Sequence, residues 1–328
     1  MQHISSEISK SYKQELINNL DNYSSDSNVE NNVKEAIVEW LESVNQDDLE
    51  QVNRMVTVSL ENQFEFLRHL FKTLKFKPLF KFCRYTTIEG LKRILLDQQE
   101  SMCGLAGMND KSEGFFLDKC LTNASYNLYR KPQALINRFN EVFIMSLCDE
   151  SKKDDLTMWR LYGNDGKGCC LIYEPDVDAL RKSTEFILLP VTYGNAGNPI
   201  VLLFKILSKL PYINGLRFGM SYKYIWQYFV KPQDFKIENE YRLLYVPQNN
   251  NSSNSKWILN SNYSIFHPIQ IFQSPLNDGK SNFPMRLKEV ILGPKCQESL
   301  INKVQIKSLI VNYQYPPDIS LSKIDFYR

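Results

Sequence analysis

Lys77-Pro-Leu-Phe-Lys-Phe-Cys-Arg-Tyr85 is the stretch on which the fold turns. The character of the chain changes at Lys77-Pro78. From Leu79 to Tyr85 the pattern alternates and reads as a strand. Thr87 then stands where a helix needs a cap, ahead of Ile88, Leu91, Ile94 and Leu95 at helical spacing. Strand followed at once by helix marks the start of a mixed domain, so a boundary falls between residues 76 and 77.

Upstream the periodicity is helical. Val29, Val33, Ile37, Trp40, Leu41 and Val44 recur at three- and four-residue steps. After a loop at Asn45-Gln-Asp-Asp48, Leu49, Val52, Val56, Leu60, Phe64, Leu67 and Phe71 predict a second helix. Residues 1–76 therefore read as a helical N-terminal module. Its apolar stripe, Trp40 included, needs a cover, either the main domain or a regulatory protein partner.

Downstream, residues 77–328 read as one α+β domain. Strands are expected at Ser101–Leu105, Val142–Cys148, Gly168–Glu174, Phe186–Tyr193, Glu240–Val246, Trp257–Asn260, Glu289–Leu292 and Ser308–Val311. Helices are expected over 113–139, at Asp155–Tyr162, over Pro199–Phe229 with breaks, and at Gln297–Val304. Strands and helices mix without a regular βαβ rhythm, which favours α+β over a doubly wound fold.

The composition is that of an ordinary globular chain: 43% hydrophobic, 23% charged, net charge +2. That balance forces neither a nucleic-acid nor a membrane reading. The longest apolar stretch, Pro199–Ile213, is too short to span a bilayer and carries Lys205 and Lys209. Seven cysteines without C-x-x-C spacing read as reduced thiols, and a cytoplasmic location is expected. The three histidines, His3, His69 and His267, have no metal-ligand spacing. Gly163-Asn-Asp-Gly166-Lys-Gly168 has glycines like a phosphate loop, but a strand follows where such a loop needs a helix. Chemistry must then rest on Arg, Lys, Glu, Asp, Asn, Tyr or Trp.

Four segments stand out: Arg84-Tyr85-Thr-Thr87; Gly107-Met-Asn-Asp110 with Glu113; Ser146-Leu-Cys-Asp149 followed by Met158-Trp-Arg-Leu-Tyr162-Gly163; and Lys231 followed by Glu238-Asn-Glu240-Tyr-Arg242. In this order, with Val191-Thr-Tyr193 and Glu289-Val-Ile-Leu-Gly293, they resemble a bacterial family known as domain of unknown function 2971. Its members show K/R-Y on a strand, an N-D-P-x-E loop, a Cys- or Ser-containing strand, M-W-x-x-Y and E-x-E-x-R. The resemblance spans about residues 79–295; Lys111 stands where the family usually has proline.

A more distant resemblance, in layout, is to ADP-ribosyltransferases. It implies a split mixed or antiparallel sheet with flanking helices and NAD as substrate. ADP-ribose would pass to a protein or nucleic acid, as in a toxin or phage-defence effector. On this reading Glu240 is the carboxylate that stabilises positive charge on the ribose. Glu238, two residues earlier, acts on the acceptor. Arg84 and Arg242 supply planar forks for phosphate or ribose oxygens. Tyr85, Trp159 and Tyr162 offer stacking faces, and Asn109 a polar contact. The alternatives are a non-catalytic nucleotide-sensing and partner-binding protein, or a Mg²⁺-dependent nucleic-acid enzyme using Asp110, Glu113 and Glu240. Plainer roles stand beside these. Glu240 and Arg242 suit a solvated ion pair, Arg84 a partner of Glu240 or Glu113, Trp159 and Tyr162 a core pair, and Asn109-Asp110 a turn.

Overall fold

The structure, a computed structural model, describes residues 2–3, 6–76, 79–104, 115–122, 142–248, 255–260, 265–274, 276 and 282–325. The chain opens with β1 (Gln2–His3), α1 (Ser6–Asp21) and α2 (Asn28–Ser43). The Ser27 hydroxyl accepts the Glu30 N–H and so caps α2. A hairpin, β2 (Leu49–Val52) and β3 (Met55–Val58), comes next, and then α3 (Leu60–Thr73). The hairpin replaces the first half of the helix expected from Leu49. Asn53 takes the left-handed conformation at the turn, φ 55°, and β-branched Val52, Val56, Thr57 and Val58 suit a pleated surface better than a helix. Ser59 caps α3, accepting from Asn62 N–H at 3.2 Å.

The expected strand and capped helix follow as β4 (Phe82–Thr86) and α4 (Ile88–Leu95), with the Thr87 hydroxyl accepting Gly90 N–H at 3.1 Å. Then come β5 (Gln99–Gly104), α5 (Phe116–Thr122), β6 (Phe143–Asp149), α6 (Leu156–Tyr162) and β7 (Cys169–Pro175). Beyond them lie α7 (Val177–Lys182), β8 (Phe186–Pro190), β9 (Thr192–Tyr193), α8 (Pro199–Lys209), β10 (Arg217–Phe218), α9 (Lys223–Trp226) and β11 (Val230–Lys231). The last elements are β12 (Glu240–Tyr245), β13 (Ser255–Asn260), β14 (Ile265–Gln273), β15 (Met285–Leu292), α10 (Ser299–Leu309) and β16 (Asp318–Leu321). Residues 308–311, expected as a strand, instead end α10, and the last strand lies further on. The described elements make an α+β fold with mixed and antiparallel sheets. No helix among the described residues is long and apolar enough to cross a membrane.

The chain divides into two compact units. The first gathers Met1–Lys77, Asp110–Arg130 and Leu189–Lys236, more than the N-terminal 76 residues drawn from chain order. Its core stacks Trp40 on Phe66 at 4.4 Å, with Trp226 edge-on to Phe66 and to Phe204. The stripe carrying Trp40 is thus covered within its own unit, by α3 and α8.

The second unit comprises Pro78–Asn109, Lys131–Leu188 and Ile237–Arg328. Its sheet runs β13-β14-β5-β6-β4-β7-β15-β16, and β12 pairs with both β6 and β8. β6 is the spine. Along one edge it pairs with all of β12, Glu240 opposite Cys148 and Tyr245 opposite Phe143. Its other edge is shared: β4 takes the Cys148–Asp149 end and β5 the Phe143–Ile144 end. The sheet therefore divides beside Met145, Ser146 and Leu147.

Strand register sorts every side chain onto one of two faces. One face is the larger core, with Phe82, Leu171, Tyr173, Met145, Leu147 and Leu243. The other holds Cys83, Tyr85, Cys148, Cys170, Ile172 and Ile291 under Met158 and Trp159 of α6.

Candidate functional site

Arg84 sits directly opposite Leu171, in step with Phe82 opposite Tyr173, and so projects from the larger-core face. Glu240 pairs with Cys148, which pairs with Cys83, and so projects from the other face. The two residues expected to share one cleft therefore leave the sheet on opposite sides. One residue of register decides this, and each strand holds its register through its own buried alternation.

The face under α6 collects most of the residues singled out in the sequence. Tyr85 is buried; its hydroxyl donates to the Lys152 carbonyl at 2.6 Å and accepts the Asp155 N–H at 2.8 Å. Burial pushes its phenol up, so it stays protonated. Its ring lies edge-on to Trp159 at 4.8 Å. Trp159 is fully buried and donates Nε1–H to Asp154 at 2.8 Å. Asp154 also accepts from the Ser322 hydroxyl at 2.6 Å and the Lys323 N–H at 2.7 Å. Asp155 caps α6 through Met158 N–H at 3.0 Å. Tyr85 and Trp159 thus pin a helix and a tail to the sheet, and neither presents a ring for a ligand to stack on.

Glu238 and Glu240 do not lie on one continuous strand, as their spacing suggested. A 3-10 turn, Gln233–Glu238, ends at the first, and Asn239 breaks the extended run at φ 47°. The Asn239 carbonyl accepts the Asp149 N–H, which locks the break to β6. Glu238 is buried and accepts the Tyr162 hydroxyl at 2.5 Å. Glu240 is buried too and meets Arg242 in a two-bond fork, Nε to Oε1 at 2.8 Å and Nη2 to Oε2 at 3.2 Å. Arg242 is wholly inaccessible to solvent, so this is an interior ion pair rather than the solvated one its spacing allows. Ser146, opposite Arg242, is exposed.

Three thiols, Cys83, Cys148 and Cys170, lie close on this face, and their mutual contact and burial push the Cys83 thiol up. All seven cysteines are free.

The larger-core face holds a second polar group. Arg84 is half-buried there, and among the described residues it makes no hydrogen bond or ion pair. Its charge is felt by Glu100, buried on β5, whose two carboxylate oxygens share the Tyr173 hydroxyl at 2.9 and 3.1 Å. Burial raises the Glu100 carboxyl to about 7; Arg84 and the phenol hold it from going higher.

Neither Glu100 nor Tyr173 was singled out in the sequence. The available signal was a carboxylate two residues before Met102 on a strand, a charge in an apolar row. Asn109, Asp110 and Glu113 lie outside the described residues. Among the described residues no His, Cys, Asp and Glu group is arranged to hold a metal ion.

Comparison with known families matches residues 158–243 to the one described as "Protein of unknown function (DUF2971)". The match runs from Met158 to Leu243 and so takes in the M-W-x-x-Y and E-x-E-x-R segments, but not Arg84-Tyr85. No curated protein and no solved structure matches the chain. Over residues 158–243 the chain is similar to this family of unknown function, DUF2971.

Proposed function

We propose that the second unit is a nucleotide-binding module, and that Arg84 takes the ligand's phosphate. One observation carries the reading: a half-buried guanidinium that no described residue engages, on a strand that leaves the spine where the sheet divides. Arginine's five donors in a rigid fork match phosphate and carboxylate, and an arginine held in place without a protein partner is ready for one from outside. Glu240, by contrast, is occupied by Arg242, and the acidic pair at 238 and 240 serves the interior. Sensing of a nucleotide such as NAD, with a partner protein reading the bound state, fits this division of labour better than catalysis through Glu240.

The test is thermal stability with and without NAD, ADP or ADP-ribose. A ligand at a hundred times its dissociation constant stabilises the native state by about 2.7 kcal/mol. A rise in melting temperature is expected for the wild type and none for Arg84→Gln; equal rises in both would overturn the reading.

ADP-ribosyl transfer to a protein or nucleic acid is the second reading, favoured by the division of the sheet at β6. It requires Glu240 to leave Arg242 and face a ribose. Incubation of labelled NAD with cell lysate separates the two readings. Label transferred by the wild type and lost in Glu240→Ala supports transfer; no label, with nucleotide stabilisation intact, supports sensing.

A further inference from the structure

We propose that Glu100 is the second pole of the Arg84 site, the acceptor for a hydroxyl hydrogen carried by the same ligand, so that the site takes a ribose phosphate rather than a bare anion. This rests on the nucleotide reading above and adds the group that would select within it.

The argument begins with unused bonding capacity. An ionised carboxylate has about four acceptor positions. Glu100 is only 1% exposed, and among the described residues the Tyr173 hydroxyl is its one hydrogen-bond partner. A buried carboxylate is ordinarily paired with a cation or surrounded by donors, because leaving water is costly. The nearby cation is Arg84, on the same face, yet no ion pair joins the two. An acceptor and a donor of opposite charge, near enough to influence one another but not bonded, suit a ligand that offers acceptors to one and a donor to the other. A phosphate with neighbouring sugar hydroxyls has both.

The surroundings leave few other candidates for Glu100. Arg84 on β4, Tyr173 on β7, and Gln270 and Ser274, two residues either side of Phe272 on β14, are the polar groups on its face; neither Gln270 nor Ser274 bonds to Glu100, and Phe272, directly opposite, is apolar. Neighbouring Met102, on the same face of β5, belongs to the core.

The role has a pH signature. To accept a hydroxyl hydrogen Glu100 must be ionised. With its carboxyl titrating at about 7, about a tenth is ionised at pH 6 and about nine-tenths at pH 8. A ligand that needs the carboxylate binds about ten-fold tighter at the higher pH, whereas an anion without hydroxyls is repelled by the charge and gains nothing.

The experiment is calorimetric titration of the full chain with ADP-ribose and, separately, with sulfate, at pH 6 and pH 8. Neither probe changes its own charge over that range. The wild type is expected to bind ADP-ribose about ten-fold tighter at pH 8. Glu100→Gln is expected to lose that gain and bind ADP-ribose at pH 8 about ten-fold more weakly than wild type, with sulfate binding no weaker. Tyr173→Phe keeps the carboxyl but removes its phenol, so the midpoint of the pH dependence moves upward.

ADP-ribose affinity that is indifferent to Glu100→Gln, with the wild-type pH profile, overturns the acceptor role while leaving the Arg84 site standing. So does an unmoved midpoint in Tyr173→Phe if the Gln variant does not fold. Failure of both probes to bind, or binding of both that ignores Arg84→Gln, overturns the site itself and the acceptor with it.

Discussion

Replacing Glu100 with glutamine is expected to make the protein more stable at alkaline pH and no more stable at acid pH. The side chain is fully buried and its carboxyl titrates at about 7 instead of the ordinary 4.5. Below pH 4.5 the group keeps its proton in both the folded and the unfolded chain and contributes nothing. As pH rises from 4.5 to about 7 the unfolded chain gives up the proton first, so stability falls; above 7 the loss is complete. At about 1.4 kcal/mol per pH unit this interval amounts to about 3 kcal/mol. Glutamine keeps an oxygen for the Tyr173 hydroxyl but buries an amide that lacks a matched acceptor, which costs about 1 kcal/mol. The variant should therefore gain about 2 kcal/mol over wild type at pH 8 and lose about 1 kcal/mol near pH 4.5. Urea unfolding at half-unit pH steps measures the difference directly. A wild-type-minus-variant difference that is constant across that range would refute both the burial argument and the titration assigned to Glu100.

Three other outcomes follow from the packing. Arg242→Leu removes the guanidinium fork from the buried Glu240 carboxylate and should cost about 3–5 kcal/mol, seen as a lowered urea midpoint; a cost below about 1 kcal/mol would mean that the fork contributes little to holding the interior. Tyr85→Phe removes a hydroxyl shared by the Lys152 carbonyl and the Asp155 N–H and should cost about 1–3 kcal/mol by the same measurement, with nucleotide stabilisation unchanged. Gly168→Ala drives a methyl to 2.2 Å from the Thr86 carbonyl and 2.9 Å from that of Gly163, both backbone atoms; a melting temperature equal to wild type would contradict that contact.

What the sequence made legible depended on whether the deciding physics was local. Leu79–Tyr85 and Thr87 announced β4 and α4 because alternation and a capping hydroxyl act within a few residues. Leu49, Val52 and Val56 misled, since three- and four-residue spacing also fits a hairpin when β-branched valines occupy positions 52 and 56 and Asn53 turns the chain. Ile265–Gln273 was not read as a strand; it is a long one, between β13 and β5, with Pro268 inside it.

The candidate site shows the sharper limit. Two-residue spacing puts Arg84 in a row with Phe82, and Glu240 in a row with Arg242. Which of those rows share a face is set by Cys83 opposite Cys148 and Cys148 opposite Glu240, pairings between segments about 60 and 90 residues apart that no local pattern carries. Glu100 was missed for the same reason: its partners, Tyr173 and Arg84, meet it only once the sheet is assembled.

The discontinuous make-up of the first unit bears on how the chain is born. Phe66 finds its edge-on neighbour Trp226 about 160 residues later, a wait on the order of ten to thirty seconds at ribosomal speed. Until then the aromatic face of α3 has to be sheltered by chaperones or by transient neighbours. The second unit's strands emerge during this interval, so two half-built cores coexist on the nascent chain. A fragment beginning at residue 77 would carry Trp226 and Phe204 without the helices that cover them, and should come out of the ribosome sticky rather than trimmed.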